Sequence, residues 1–381
     1  MEPSPFAGKL WLAPLTRGGH LAFRRLCVEF GAQITVGEMV VVRRLLQGKS
    51  SEFALLKSHA DEPFFGAQLA DRKAETLAEG ARIAEGRGAR FVDLNCGCPI
   101  EEITRKGLGA SLLRKPGRLG RLVQSLRQAV SVPVTVKLRT GWSEGSERIS
   151  ELARVCEEAG AAAITIHARS RDQRYSKAAD WGLIQRVAAE RCVPVVGNGD
   201  ILTPYEARDR MERSGVTSVM LGRGALIKPW LFREIRQGRS WLPTAEERVG
   251  VLWRFVELLR EHFGADARGR ERILRFLPWH LGFFSRYRPL PEDAYAERAR
   301  AHPLIQTRLS AGEGLTPLES LLCDPRLETH EALSRELLEA CSRGEALDRA
   351  CRLAEAIPPC VGESRDEVPI AEVAGSSEIR G

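Results

Sequence analysis

Eight short apolar runs, separated by segments of helical periodicity, constrain the fold of this chain more than any other feature of its sequence. The helical period is clear in TLAEGARIAEG, after Glu75, and in RLVQSLRQAV, after Gly120. Strands that alternate with helices predict parallel βα units, and eight such units close a barrel. The alternative is an open doubly wound sheet, although the first βα turn lacks GxGxxG. The runs are LWLAPL from Leu10, ITVGEMV from Ile34, PFFGAQLA from Pro63, FVDLNCG from Phe91, PVTVKLR from Pro133, AITIHAR from Ala163, PVVGNGD from Pro194 and SVMLGRGAL from Ser218.

The chain divides into three parts by the kind of pattern it carries. The apolar runs predict an α/β domain, a (β/α)8 TIM barrel, over residues 1–238. After Gln237 the strand-like runs stop, and ERVGVLWRFVELLREHFG and RERILRFLPWHLGFF have apolar residues at helical spacing. We therefore predict a smaller all-helical domain over residues 239–356. Residues 357–381 are rich in small, polar and acidic residues, which predicts a disordered tail.

Composition favours a reducing compartment and allows a polyanionic ligand. The 57 basic and 50 acidic residues give a net charge of +7, a mild excess that suits such a ligand without requiring one. Nine cysteines are an odd number in a chain too large for a disulfide scaffold, which favours free thiols. The sequence has neither a recognisable export signal nor a long apolar span. We predict a cytoplasmic monomer with no membrane partner and no structural metal.

Polar residues at the ends of the apolar runs are the candidates for a functional site, because β/α barrels place their active sites at the carboxyl ends of the strands. These ends are unusually rich in polar residues here. The candidates are Pro14, Leu15, Thr16, Gln68, Asn95, Cys98, Lys137, Arg139, His167, Asn198, Gly199 and Asp200.

Two glycine-containing turns near the end of the barrel predict a phosphate site. GNGD and LGRGAL place Gly199 and Gly222 where backbone amides can approach an anion, and Arg223 adds a forked donor. Such glycines can also simply form tight turns. A phosphate there, with the amide of Gln68 and the cation of Lys137 nearby, would suit FMN lying across the barrel mouth. Taken alone, Lys137 is equally consistent with a Schiff-base lysine.

Cys98 is the candidate proton donor. It lies just beyond the end of the run FVDLNCG, in a loop that continues as IEEITRKGLGASLL. A thiol with an unperturbed pKa of about 8.5 is mostly protonated at neutral pH, so it can deliver a proton to a carbon that receives hydride elsewhere. Zinc is disfavoured, since no second close pair of Cys or His completes four ligands. Packing in apolar surroundings is the expected role of Cys27, Cys96, Cys156 and Cys192.

A basic segment follows the sixth run. His167 is succeeded by Arg169, Arg171 and Arg174, a density that suits the backbone of a nucleic acid. The alternative is a structural histidine followed by a solvated basic loop.

Several segments, taken in order, resemble the tRNA-dihydrouridine synthases: NCGCP, KLRTGW, ITIHARSRDQRYSKAADW, GNGDIL and GRGALIKPWLF. The similarity is closest to the Dus3 type and covers the barrel nearly continuously, and the helical domain more loosely. The resemblance implies tRNA as the partner and Cys98 as the catalytic acid, with Asn95 helping to hold the base. It implies that FMN is held by Pro14, Leu15, Thr16, Gln68, Lys137, His167, Asn198, Gly199, Asp200, Gly222 and Arg223.

The resemblance also implies the reaction. NADPH reduces the flavin, hydride passes from flavin N5 to uracil C6, and the cysteine protonates C5, which yields dihydrouridine. Similarity to the Dus3 type suggests a target in the variable loop of tRNA. The sequence departs from the eukaryotic Dus3 pattern, since no Cys/His zinc-binding extension precedes the barrel. RNA docking is therefore expected to rely on the barrel, through Arg139, Arg169, Arg171 and Arg174, and on the helical domain.

The helical domain carries a second basic stretch, which would supply many of the phosphate contacts. Its arginines are Arg268, Arg270, Arg272, Arg275, Arg286 and Arg288, interleaved with Phe276, Trp279, Phe283, Phe284 and Tyr287. The interpretation we favour is that these aromatics form core and only the arginines face outward.

Two other functions compete with this one. An FMN barrel oxidoreductase acting on a free pyrimidine such as dihydroorotate has no need of an arginine-rich appended domain, and its turnover would be indifferent to salt. A non-catalytic RNA-binding protein has no need of Cys98 and Lys137.

Overall fold

The computed structural model describes residues 4–307, 309 and 314–358. Residues 359–381, which are most of the predicted disordered tail, lie outside the described residues. No helix in the described ranges combines the length and the apolar character needed to cross a bilayer.

Nine parallel strands form a closed barrel, and because two short strands share one position the barrel has the eight positions that the sequence predicts. The first strand pairs with the second and the last, and the second also pairs with β4, which closes the sheet. The short β3 pairs with the carboxyl half of β4, so β2 and β3 together correspond to the predicted run from Ile34. The strands are β1 Leu10–Leu12, β2 Ile34–Val36, β3 Val40–Val41, β4 Phe65–Ala70, β5 Phe91–Cys96, β6 Val134–Arg139, β7 Ala163–His167, β8 Val195–Asn198 and β9 Ser218–Leu221.

Helices surround the barrel, and every described element after β9 is helical, so the predicted order of a barrel followed by a helical region is confirmed. The helices are α1 Leu21–Glu29, α2 Val42–Leu46, α3 Ser50–Leu55, α4 Ala74–Gly86, α5 Glu101–Arg105, α6 Pro116–Ala129, α7 Ile149–Glu158, α8 Trp181–Glu190, α9 Pro204–Ser214, α10 Arg223–Ile227, α11 Leu231–Gln237, α12 Ala245–Phe263, α13 Ala267–Phe284, α14 Glu292–Ala301, α15 Pro317–Cys323, α16 Leu327–Glu339 and α17 Arg343–Ala356, with 3₁₀ helices at Gly109–Arg114 and Leu304–Gln306.

Aromatic side chains fill the amino-terminal end of the barrel. Phe6, Trp11 and Phe91 are fully buried, and their ring centroids lie 5.4 to 5.5 Å apart. A Cβ at Gly66 would lie 2.1 Å from the Phe91 ring, so glycine is required for this packing. The apolar filling closes one end of the barrel and leaves the polar residues at the other.

Histidines join the barrel to the helical region. His20 caps α1, with its Nδ1 accepting the Phe23 N–H at 3.4 Å, and its Nε2 lies 3.1 Å from Nε2 of His280 in α13. Because Nδ1 of His20 is an acceptor, its Nε2 carries the ring proton and donates a hydrogen bond to Nε2 of His280. Burial lowers the pKa of His280 to about 3, and burial followed by the neighbouring histidines lowers that of His20 well below its ordinary value. The contact is therefore between neutral rings.

Candidate active site

Strand register brings the predicted polar residues together at one end of the barrel. Asn95 of β5 is level with Lys137 of β6, and Arg139 of β6 is level with His167 of β7. His167 is in turn level with Asn198 of β8. These residues therefore occupy neighbouring positions at the carboxyl ends of the strands.

Hydrogen bonds fix the loop that carries Cys98. The side-chain carbonyl of Asn95 accepts the Cys98 backbone N–H at 3.0 Å, and the Cys98 carbonyl accepts the Ala110 N–H at 3.0 Å. Gly109 has a φ of +58°, and a Cβ there would lie 2.8 Å from the Cys98 carbonyl oxygen, so glycine is required. Cys98 stays partly exposed at the mouth, whereas Cys96 on the strand before it is buried.

A buried polar network lies beneath this loop. The Asp93 carboxylate accepts hydrogen bonds from Gln68 Nε2 at 2.7 Å and from Thr135 Oγ1 at 2.6 Å. The Oε1 of Gln68 accepts the Asn95 Nδ2 amide at 2.7 Å. Burial raises the pKa of Asp93, although these hydrogen bonds oppose the rise. Gln68 therefore uses both ends of its amide within the protein and retains one N–H for a ligand.

Lys137 is held by an amide on the neighbouring side of the mouth. Its Nζ donates to Asn198 Oδ1 at 3.1 Å, and Asn198 Nδ2 donates to the Met220 carbonyl at 2.7 Å. Burial, and then the charge of Arg139, lower the pKa of Lys137 to about 8. The amine is therefore fixed in position and close to its titration point at neutral pH.

Asp200 is the centre of an ionic network next to the predicted phosphate turns. Its carboxylate accepts two bonds from Arg169 Nη2, at 2.6 and 2.8 Å, and one from Arg223 Nη2 at 3.0 Å. The Ala179 N–H and the Gln306 amide, at 2.8 and 3.3 Å, complete the set. Asp200 has a φ of +50°, a conformation that Asp and Asn tolerate better than most residues.

His167 is neutral in this arrangement. Burial and then the cations of Arg139 and Lys137 lower its pKa well below the ordinary value. Its Nε2 lies 3.1 Å from Nη1 of Arg169, and since an arginine can only donate, Nε2 must be the acceptor. The ring proton therefore resides on Nδ1, which remains a donor for a ligand.

The two predicted phosphate turns differ in their surroundings. Gly199 has a φ of +135°, and a Cβ there would lie 2.6 Å from Ala179, so this glycine serves a tight turn. A Cβ on Gly222 would meet nothing nearer than Leu15, at 3.8 Å. Gly222 is itself only partly buried, so part of its backbone is accessible to a ligand. Leu15 contacts this turn, and neither Leu15 nor its neighbours Pro14 and Thr16 are fully buried.

The predicted RNA-binding arginines divide into two kinds. Arg139 is 2% exposed and donates to the Gly97 and Ser170 carbonyls at 2.9 and 2.8 Å. Arg169 is also buried and holds Asp200. By contrast, Arg171 and Arg174 lie nearer the surface. The first pair supports loops at the mouth, and the second pair is accessible from outside.

Sequence reasoning missed three residues that the fold brings to the site. Asp93 had a local signal, since it is a lone charge inside an apolar run. Tyr175 is 37% exposed, and its ring centroid lies 4.3 Å from the Arg223 guanidinium carbon and 5.9 Å from the His167 ring. Gln306, from the helical region, donates to the Lys177 carbonyl at 2.8 Å. The contacts of Tyr175 with Arg223 and of Gln306 with Lys177 have no local signal, because they join distant parts of the chain.

The aromatic residues of the helical basic stretch are largely core. Phe284 and Tyr287 are buried, and Phe276, Trp279 and Phe283 are partly buried. Two of the arginines are neutralised, since Arg270 pairs with Glu339 and Arg275 with Glu271. This packing agrees with the interpretation that the aromatics do not form an exposed stacking surface.

Of the four cysteines that we expected to pack in apolar surroundings, three are buried and one is not. Cys27, Cys96 and Cys156 are buried, and burial raises the pKa of each thiol. Cys192 is exposed, so the expectation that it packs in apolar surroundings was wrong. It lies directly after α8, where the chain turns toward β8 at the surface.

Comparison with known proteins identifies the family. Residues 11–281 match the family described as Dihydrouridine synthase (Dus). The chain belongs to the dihydrouridine synthase family. It is 41% identical over 333 residues to a tRNA-dihydrouridine(47) synthase of Coprinopsis cinerea that has NAD(P)(+) in its name, covering 84% of this chain and 48% of that protein. A human protein named as similar to that enzyme is 44% identical over 285 residues, covering 74% of this chain and 44% of its own length.

The dihydrouridine synthase relatives are longer than this chain, which spans about half the length of the curated proteins it matches. Among solved structures, a histamine dehydrogenase from Rhizobium sp. 4-9 superimposes with a TM-score of 0.48 at 14% identity, covering 66% of this chain and 49% of its own.

Proposed function

We propose that this protein is an FMN-dependent tRNA-dihydrouridine synthase that reduces the C5–C6 double bond of a tRNA uridine, with NADPH as the reductant. The observation that carries the proposal is the fixed position of Cys98 at the barrel mouth, where Asn95 holds its backbone and Lys137 lies within electrostatic range. Membership of the dihydrouridine synthase family and the names of the similar proteins support the same reaction.

The residues around Gly222 fit the phosphate of FMN. Gly222 is only partly buried and can offer its backbone to a ligand, and Arg223 commits Nη2 to Asp200 while keeping further N–H donors in its fork. The Nδ1 proton of His167 adds a neutral donor. When bound, FMN would supply the hydride that passes from its N5 to uracil C6.

Lys137 would lie beside the bound flavin and would stabilise negative charge on its ring. A cation beside the electron-rich edge favours the reduced, anionic form, and Asn198 holds the amine in that position. An anion beside Lys137 opposes the effect of burial on its pKa, so the amine stays protonated once the cofactor is present. The free N–H of Gln68 can donate to a ring carbonyl or to the base.

Cys98 donates its thiol proton to C5 of uracil. The thiolate that remains lies near two cations, since negative charge at Cys98 raises the pKa of both Lys137 and Arg139. These cations stabilise the thiolate as it forms, which is the requirement for an effective general acid. Asn95 keeps the Cys98 backbone in place during the transfer.

The uridine must leave its stack to reach the mouth. Asn95 has one amide N–H that is not used by Gln68, and this N–H can hold the base. Arg171 and Arg174 are accessible to phosphates beside the extruded nucleotide, whereas Arg139 and Arg169 position the loop that carries them.

The test is to purify the protein, record its visible spectrum, and incubate it with FMN, NADPH and an unmodified tRNA transcript. We expect a flavin spectrum and dihydrouridine at a single position, with RNA binding that weakens steeply as salt rises. Bound flavin that turns over a free pyrimidine but leaves a competent tRNA unreduced would replace the proposal with a small-molecule oxidoreductase. RNA binding without flavin would replace it with a non-catalytic RNA-binding protein.

A further inference from the structure

Two arginines pack on one tryptophan where three loops meet at the barrel mouth. The guanidinium carbon of Arg114 lies 5.0 Å from the ring centroid of Trp142, and that of Arg171 lies 4.8 Å from it. Arg114 ends the 3₁₀ helix that follows β5, Trp142 follows β6, and Arg171 follows β7. We call these three residues the Arg–Trp–Arg stack. Neither Arg114 nor Trp142 was predicted as a site residue.

The backbone holds the stack in place. The Arg171 N–H donates to the Gly141 carbonyl at 3.0 Å, and the Asp172 N–H donates to the Trp142 carbonyl at 3.1 Å. The 3₁₀ helix that ends at Arg114 is tied at its start to the Cys98 carbonyl by Ala110. The stack is therefore built on the same loop as the proposed catalytic thiol.

The stack carries positive charge that is only partly neutralised. Arg114 is exposed, and with Lys115 and Arg118 at the start of α6 it forms no salt bridge to any residue in the described ranges. Arg171 pairs with Asp172 at 2.8 Å through Nη1, but its buried Nε has no hydrogen-bond partner among the described residues. The buried Nε is closed to a ligand, whereas the exposed donors of Arg114 are suited to an anionic one.

The acidic residues near the stack are engaged elsewhere. Glu144, on the turn after Trp142, accepts from Lys177 at 2.7 Å, and Glu147 accepts the Gly145 N–H at 3.0 Å. These two carboxylates lower the net charge of this rim of the barrel mouth but do not pair with Arg114.

We infer that the Arg–Trp–Arg stack binds backbone phosphates of the RNA substrate, an inference that rests on the proposed function. A guanidinium held over an aromatic ring loses rotamer freedom yet keeps its N–H donors in a fork that matches two phosphate oxygens. The positive charge of the stack and the exposed donors of Arg114 favour phosphate as the ligand over an uncharged base.

The position of the stack explains how both sides of an extruded uridine can be held. In the closed barrel β6 lies opposite β1. The loop after β1 packs against the helical region, where a Cβ on Gly18 would lie 3.2 Å from the Trp279 ring. RNA that spans the mouth meets the helical region on one side and the Arg–Trp–Arg stack on the other. Contacts on both sides offset the cost of unstacking the base.

The experiment measures the affinity of an unmodified tRNA transcript for the wild type, Arg114→Gln and Trp142→Leu as a function of salt. Arg90→Gln is the matched control, because Arg90 also lies over an aromatic ring, 5.7 Å from the Phe64 centroid, but precedes β5 at the opposite end of the barrel. Melting temperatures and flavin spectra establish that each variant is folded.

Loss of one phosphate contact in Arg114→Gln should weaken binding about tenfold and reduce the slope of log affinity against log salt by about 0.7 to 0.9. Trp142→Leu removes no charge, so it should weaken binding through lost orientation with little change of slope. Arg90→Gln should match the wild type in both quantities.

This inference would be overturned if Arg114→Gln kept both the affinity and the salt slope of the wild type. The proposed function would remain intact in that case, provided that the wild type makes dihydrouridine. A raised KM for NADPH in Arg114→Gln, with unchanged RNA affinity, would also overturn it. That result would indicate that the stack binds a phosphate of the dinucleotide. Wild-type protein that binds no tRNA would overturn both proposals.

Discussion

Asn95 accepts the backbone N–H of Cys98 at 3.0 Å through its side-chain carbonyl. The other end of the same amide donates to Gln68, which in turn donates to the buried Asp93. One side chain inside β5 therefore joins the thiol-bearing loop to a polar network in the barrel. The position of the thiol depends on this strand residue as much as on the loop itself.

Replacement of Asn95 should impair turnover without removing the thiol. Asn95→Ala leaves the Cys98 loop without its anchor, and misplacement of a reacting group by about 1 Å costs on the order of 10²-fold in rate. Asn95→Asp keeps an acceptor for the Cys98 N–H and should retain more activity than Asn95→Ala. Single-turnover oxidation of the reduced enzyme by tRNA gives the rate for each variant. Equal rates for Asn95→Ala and the wild type would contradict the anchoring role.

Lys137 should set the reduction potential of the bound flavin. In Lys137→Gln the anionic reduced form loses its neighbouring cation, so the two-electron potential should fall by about 30 mV, which corresponds to about 1.4 kcal/mol. Equilibration with a reference dye measures the potential. Lys137→Arg keeps the charge and should stay closer to the wild type. A potential that is the same in all three proteins would remove this role from Lys137.

Titration of Lys137 should be visible in the protein without cofactor. Its pKa is lowered to about 8, mainly by burial, so the amine loses its proton as pH rises through that value. Affinity for reduced FMN should therefore weaken between pH 7 and pH 9. In Lys137→Gln this part of the pH dependence should be absent. Anaerobic titration of each apoprotein with reduced FMN at several pH values measures this affinity. Identical pH profiles for the wild type and Lys137→Gln would argue against a contact between Lys137 and the cofactor.

Asp200 should stabilise the protein most when no phosphate is bound. Its side chain and that of Arg169 are fully buried, and Asp200→Asn leaves both Arg169 and Arg223 without a counter-ion. Breaking a buried pair of this kind costs about 3 to 5 kcal/mol. A phosphate at Arg223 would replace part of the lost charge, so FMN should raise the melting temperature of the variant more than that of the wild type. Exposed Asp61, which pairs with the largely buried side chain of Arg25, supplies the control, Asp61→Asn.

The histidines between barrel and helical region should make stability depend on pH. Burial lowers the pKa of His262 to about 4 and that of His280 to about 3, below the value near 6.5 of an unfolded chain. The unfolded chain then binds more protons below pH 6.5, so the free energy of unfolding should fall by about 1 kcal/mol per histidine per pH unit as pH decreases toward 4. Denaturant unfolding at pH 7, 6 and 5 measures the slope. His280→Gln should reduce it, and a slope unchanged in that variant would contradict the account.

The barrel was predictable from sequence because each strand is a short apolar run bounded by turn residues, and such signals are local. Cys98, Lys137 and Asn198 could be found for the same reason, since they lie close to the ends of such runs. Their partners could not, because register between strands decides which side chains meet. The hydrogen bond from Gln306 to Asp200 joins residues far apart in sequence, and no local pattern anticipates it.

The arginines after β7 illustrate the limit of pattern reasoning. The segment predicts a basic RNA-facing loop, and Arg171 and Arg174 lie nearer the surface. Arg169 belongs to the same segment, yet its side chain is 0% exposed and holds Asp200. Burial of a charge is decided by the partner that the fold supplies, and the sequence of the loop does not contain that partner.

The most direct test of the account compares the wild type with Cys98→Ala in one assay. Each protein, reduced anaerobically with NADPH in the presence of FMN, is mixed with an unmodified tRNA transcript, and dihydrouridine is quantified by mass spectrometry after digestion of the RNA. We predict that the wild type forms dihydrouridine and that Cys98→Ala binds flavin and tRNA but loses about 10²- to 10⁴-fold in rate, as expected for removal of a general acid. Equal dihydrouridine formation by the two proteins would contradict the role of Cys98, and no dihydrouridine from the flavin-loaded wild type on a competent tRNA would contradict the proposed reaction.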